Sequence, residues 1–161
     1  MNYFHEEQRF GPWVWIVIAI IGIPVLMGAV GAAASGGGIE QVIAILAGPA
    51  IVAAVFALFA LAKLVTDVDA RGIHVSFHYL WPTRHIPLDD VQRGYATEYS
   101  PLVDYGGWGV RLSWKGWAFN TGGAEGVLVE TKSGKRIMVG SRRATELEAA
   151  IARAMASRAG R

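Results

Sequence analysis

His74 and His78 stand four residues apart in an alternating segment, and His85 follows in the next. Clustered imidazoles are what zinc and copper sites use. Residues i and i+4 of one strand lie about 13 Å apart, however, too far to share one ion. The histidines therefore read as the polar, solvent-facing side of a strand. Gly106-Gly107-Trp108-Gly109 has the glycine content of a phosphate cradle. It lacks the Gly-Lys-Ser/Thr ending and runs into a strand rather than a helix, so its glycines read as turn and packing positions. Ser141 and the Asp89-Asp90 pair belong to no nucleophile-elbow, metalloprotease or kinase motif, and the pair suits a turn. The absence of cysteine excludes disulfides, thiolate catalysis, iron–sulfur clusters and cysteine-ligated zinc. The chain reads as a non-enzyme with no metal and no cofactor.

Two residue sets suggest binding instead. Trp108, Trp114 and Trp117 with Tyr99 and Tyr105, beside Tyr95, are a dense aromatic group. Some must fill a small core, and any left outside would anchor a partner or meet the lipid interface. Lys132, Lys135, Arg136, Arg142 and Arg143 form a basic stretch suited to anionic lipid headgroups. An ordinary solvated surface explains them too, helped by Arg153, Arg158 and Arg161 at a helix C-terminus. A net charge of +2 and the lack of any reader motif argue against nucleic acid.

The elements that must position these residues begin with two uncharged runs. Apolar residues make up 53% of the 161 and charged residues only 17%. Phe10 to Ile39 carries no charge, nor does Gln41 to Ala62. Each run is long enough to cross a hydrocarbon layer about 30 Å thick. The reading is a transmembrane hairpin over 13–64, with spans near 13–34 and 40–64 and a glycine-rich external loop over 35–39. Residues 1–12 then form a cytoplasmic N-terminal segment. A cleaved signal peptide is disfavoured, because Glu6 and Glu7 against Arg9 make no basic leader. Tyr3, Phe4, Phe10, Trp13 and Trp15 suit an aromatic belt, and Arg9, Lys63 and Arg71 place both termini in the cytoplasm.

Small residues recur at four-residue steps in Gly28 with Ala32, Ala50 with Ala54, and Ala53 with Ala57, as close helix packing requires. Pro24 and Pro49 lie near mid-span. Neither span holds an ionisable residue in its interior, which argues against proton relays, ion pathways and haem ligation by this chain alone.

From residue 65 to 161 the period changes. Ile73, Val75, Phe77 and Tyr79 alternate with His74, Ser76 and His78, a half-buried strand that Trp81-Pro82-Thr83 should break. An edge-like strand follows at 84–88, since Pro87 cannot donate to a ladder. Further strands are expected over 93–99, 109–114, 117–120, 126–131 and 136–139, with a loop between Tyr99 and Gly109. Leu147, Ile151 and Met155 then mark an amphipathic helix over 144–159, capped by Ser141 or by a Thr145-x-x-Glu148 box. About seven antiparallel strands and a terminal helix suit a sandwich or partly open barrel plugged by that helix.

Several runs carry a family likeness: Glu7-Gln8-x-Phe10, Asp67-x-Asp69-x-x-Gly72-Ile73 and Ile86-Pro87-Leu88-Asp89-Asp90-Val91. With them go Tyr105-Gly106-Gly107-Trp108-Gly109-Val110-Arg111, Gly126-Val127 and Gly134-Lys135-Arg136-Ile137-Met138-Val139-Gly140. On these the chain resembles small bacterial membrane proteins in which a two-helix hairpin precedes a PH-like domain. The resemblance implies a membrane α-helical hairpin plus a β-rich PH-like barrel on the cytoplasmic face of the bacterial inner membrane. It carries no established activity with it. The combined expectation is an accessory or scaffolding subunit, its partners membrane lipids and integral proteins of a larger complex. The alternatives are a tethered module binding anionic lipid or peptide, and a self-assembling homo-oligomer.

Overall fold

The computed structural model describes residues 2–35 and 37–159, so Gly36 of the expected loop and Arg161 of the expected helix end lie outside it. The chain divides into two compact units. One is the apolar hairpin from Phe10 to Leu61, and the other is a β-rich unit built from the segments on either side of it.

In the hairpin, α1 spans Trp13–Ser35 and α2 spans Ile39–Leu61. Both helices are long and apolar enough to cross a membrane. At 1.5 Å per residue each reaches about 34 Å, enough for a hydrocarbon layer. The two approach closely where a glycine of one meets a valine of the other. A Cβ at Gly22 would lie 3.1 Å from Val52, and one at Gly48 would lie 3.0 Å from Val25. The expected packing positions are elsewhere. A Cβ at Gly28 would meet nothing within 4 Å, and Ala50, Ala53, Ala54 and Ala57 are exposed. Ala32 contributes its backbone, whose carbonyl accepts from Gln41 Nε2. Small side chains permit close approach but do not choose the partner. Aromatic rings gather where the chain enters and leaves this unit. Phe10 lies edge-on to Trp13 at 6.0 Å and to Phe59 at 5.1 Å, and Trp15 meets Phe56 at 4.9 Å.

The β-rich unit corrects three boundaries. Residues 2–9 of the expected separate N-terminal segment form strand β1 (Asn2–Arg9), paired antiparallel with β2 (Lys63–Asp69). The second helix ends at Leu61, and Leu64 is fully buried in this unit. Trp81 does not end a strand but begins β4 (Trp81–Pro87), which follows β3 (Gly72–Phe77). These four form an antiparallel sheet in chain order, so the hairpin is an insertion between neighbouring strands. The alternation of β1 points Phe4, Glu6 and Gln8 inward, and two of those three are polar, which hides the strand from a hydrophobic pattern.

The second sheet has the order β5-β8-β9-β7-β6, made of β5 (Val91–Glu98), β6 (Gly109–Ser113), β7 (Gly116–Asn120), β8 (Glu125–Thr131) and β9 (Arg136–Gly140). Its β7–β9 pair is parallel. The described strands thus number nine in two sheets rather than about seven, and no barrel closure is seen among the described residues. The expected loop before Gly109 contains a short helix, α3 (Pro101–Tyr105).

The terminal helix α4 (Ala144–Ala159) packs on β5, β1, β8 and β2, burying Leu147, Ala150, Ile151 and Ala154. Its Glu148 does not close a capping box. The carboxylate instead accepts from Ala96 N at 3.2 Å, satisfying a donor on the outermost strand β5.

The inward polar residues of β1 lock the two sheets together. Gln8 Nε2 donates to the Gly140 carbonyl at 2.8 Å, and its Oε1 accepts from Thr121 Oγ1 at 3.3 Å. Glu6 accepts from Ser141 Oγ at 2.6 Å and from Arg142 N at 3.1 Å. Buried polar groups persist where each finds a partner, as these do.

Candidate functional site

The aromatic set separates into core and surface. Tyr99 and Tyr105 are buried, 8% and 5% exposed, with Ala118, Leu128 and Met138, and their rings meet edge-on at 5.8 Å. They are core residues, not the partner contacts expected of them. Burial pushes the Tyr99 hydroxyl well above the usual phenol range, the neighbouring Tyr105 adding to it and Asn120 opposing it. Trp117 is half-buried between Trp81 at 6.1 Å and Phe119 at 6.3 Å, with the Arg84 guanidinium 5.3 Å from its ring. Trp108 is also half-buried, and its carbonyl accepts from Arg111 Nε at 3.0 Å. Trp114 alone of the expected set is fully outside, at 85% exposure.

Three further large apolar residues on α3 and β6 are also exposed. Strand β6 is the last of its sheet, and its Leu112, opposite Trp117, is exposed. Before it, α3 presents Leu102 and Val103 to solvent, the latter at 81%. The helix is fixed at both ends. Ser100 Oγ accepts from Val103 N, Pro101 occupies the first turn, and Gly106 takes φ 71 while its N–H bonds back to Leu102. Asp104 joins α3 to the β6–β7 turn, accepting from Lys115 Nζ at 2.5 Å and from Ser100 N at 2.8 Å. Those bonds, led by the one from Lys115, hold the Asp104 carboxyl below its usual range. Lys115 Nζ also sits 5.0 Å from the Trp114 ring centre. Sequence reasoning missed Leu102, Val103 and Leu112. Ser100-Pro101 was the readable signal, a cap followed by proline.

The basic stretch does not form one patch. Lys132 and Lys135 lie in the β8–β9 turn with Arg136 beside them, and Arg142 and Arg143 follow the far end of β9. The five-residue strand that begins at Arg136 holds the turn and Arg142 roughly 16 Å or more apart. Arg136 stands 3.3 Å from Glu130, which also takes Arg93 at 2.5 Å. Hydrogen bonding from Arg93 holds the Glu130 carboxyl low. Arg143 donates to the His5 carbonyl, lies over the Phe4 ring and pairs with Glu146 at 3.2 Å. At the other end of α4, Arg158 meets Asp89 at 2.5 Å.

The histidines face outward from the first sheet. His74 and His85 are register partners with stacked rings, Nδ1 to Nδ1 at 3.3 Å, and His74 Nε2 lies 3.3 Å from Asp69. His5 bonds Asp67 at 2.6 Å. Among the described residues, no three His, Cys, Asp or Glu side chains gather to hold a metal ion. Ser141 Oγ serves structure, donating to Glu6 and accepting from Arg143 N at 3.0 Å. No family model matches the chain, and no curated protein matches it.

Proposed function

We propose that the chain is a non-enzymatic accessory subunit of the bacterial inner membrane, anchored by α1 and α2 and docking its β-rich, PH-like unit onto another membrane protein. The exposed outcrop of Leu102, Val103, Leu112 and Trp114 carries the reading. Large apolar side chains left in solvent mark contact surfaces, and tryptophan is prominent among the residues that dominate them. The outward alanines of α2 supply a second face for a neighbouring helix. Pairing of β1 with β2 supports a single side for both hairpin ends, in keeping with cytoplasmic termini. Division of the basic residues into two groups weighs against the anionic-lipid alternative.

The test is extraction of the tagged chain from bacterial membranes in mild detergent, with native mass measurement. A larger complex of fixed stoichiometry is expected, and Leu112→Glu with Trp114→Glu should release the chain from it while leaving its thermal midpoint unchanged. A lone monomer or a homo-oligomer overturns the proposal.

A further inference from the structure

Chain spacing offers His74 only His78, four residues along the same strand and about 13 Å away. Folding brings a different histidine to it. His85 is the register partner of His74 across the β3–β4 pair, and the two rings stack with centres 4.4 Å apart. Their Nδ1 atoms are closer than the centres, at 3.3 Å, so the two nitrogens turn toward each other. Two nitrogens each about 2.0–2.1 Å from one ion, at a tetrahedral angle, stand about 3.3 to 3.4 Å apart. The pair already has that spacing.

Two neighbours prepare it. Asp69 Oδ1 accepts from Arg71 N at 2.7 Å and from Gly72 N at 3.0 Å, so the turn fixes the carboxylate. The same oxygen lies 3.3 Å from His74 Nε2 and takes its N–H. That tautomer leaves the Nδ1 lone pair of His74 facing His85. A carboxylate behind an imidazole is the common support of a metal-bound histidine, orienting the ring and raising its basicity. Gly72 makes room for the other ring. It is not among the glycines at positive φ, so the turn does not demand it. A Cβ there would run into the Ile86 carbonyl and fall 2.5 Å from His85 Cε1.

We infer that His74 and His85 hold one divalent ion of the zinc and copper class through their Nδ1 atoms, with water completing its shell. Imidazole nitrogen suits these ions, whereas magnesium and calcium take oxygen. Solvent reaches the pair, His85 being exposed and His74 half-buried. As the rings stand, His85 donates its Nδ1–H to His74. On binding, that proton passes through solvent to His85 Nε2, and both rings coordinate as neutral ligands. The ion then ties β3 to β4, the last strand of its sheet, whose Pro82 and Pro87 donate nothing to the ladder.

Zinc titration of the tag-free full-length chain in mild detergent, read by calorimetry, should give one ion per chain. His74→Ala and His85→Ala should each weaken binding about tenfold or more, and His78→Ala should leave it unchanged. Zinc at about a hundred times its dissociation constant should raise the melting midpoint of the parent by about 5 °C or more, and should not move either weakened variant. Histidine-selective nitrogen-15 spectra read the parent without mutation: zinc should shift the Nδ1 signals of two of the four rings. The site is overturned if zinc does not bind, if His78→Ala weakens binding as much as the other two, or if the Nε2 signals move instead.

Discussion

Gln8→Ala tests whether the residues ahead of the hairpin belong to the β-rich unit. The side chain is 2% exposed and serves two partners on the other sheet, the Gly140 carbonyl at 2.8 Å and Thr121 Oγ1 at 3.3 Å. Truncation leaves both partners buried without it. A stranded buried polar group costs about 1–3 kcal/mol, the shorter bond near the middle of that range and the longer near its foot, giving about 3 kcal/mol together. For a unit of roughly a hundred residues, 3 kcal/mol lowers the melting midpoint by about 10 °C or more. Near-ultraviolet circular dichroism of the full chain in mild detergent reads the melt. Glu7→Ala is the control, because Glu7 points outward from the same strand and pairs with Lys63 near solvent, so its midpoint should stay within about 1 °C of the parent. If Gln8→Ala also melts within about 2 °C of the parent, β1 is not an integral strand and the argument for its buried polar pair fails.

The Asp104–Lys115 tie is pH-dependent. Asp104 is held below its usual range, so its contribution is full above that range and is lost as pH falls through the lowered value. Amide exchange over residues 100–106 should therefore rise on acidification, and Lys115→Met should show fast exchange already at neutral pH. Flat exchange across the carboxylate range would refute the tie. Gly116→Ala should destabilise by about 2 kcal/mol or more, because the residue sits at φ 112 and a Cβ there runs into the Arg136 carbonyl. Gly134→Ala, at φ 80 but with nothing within 4 Å, should cost less in the same melt. Equal losses would show that backbone conformation and not close approach sets the penalty.

Legibility followed how locally each feature is determined. Strands β3 to β9 and α4 were readable to within a few residues from side-chain period and from the turn residues between them. In α4, Leu147 and Ile151 are fully buried as their spacing requires. Strand β1 was not readable because Glu6 and Gln8 face inward, and their partners Ser141, Arg142, Gly140 and Thr121 lie more than a hundred residues away. Nothing in a short window distinguishes a buried, satisfied glutamine from a solvated one. The aromatic group failed for a related reason: Tyr99 and Trp114 are equally aromatic, and their burial depends on which distant residues pack against them. Helix α3 was readable from Ser100-Pro101, a signal outweighed by the glycines that follow.

By itself the sequence determined that the chain carries two apolar helices and a β-rich segment ending in a helix. Charge-free length and side-chain period suffice for that, since both are properties of contiguous residues. It also determined that cysteine chemistry is absent. Tertiary structure alone decided that the hairpin is inserted between paired strands, that Tyr99 and Tyr105 are core, and that Leu102, Val103, Leu112 and Trp114 are left exposed. Those outcomes depend on register and on which strand lies last in its sheet. They are set by contacts between distant segments, where the energy of burying one face against another outweighs any local preference.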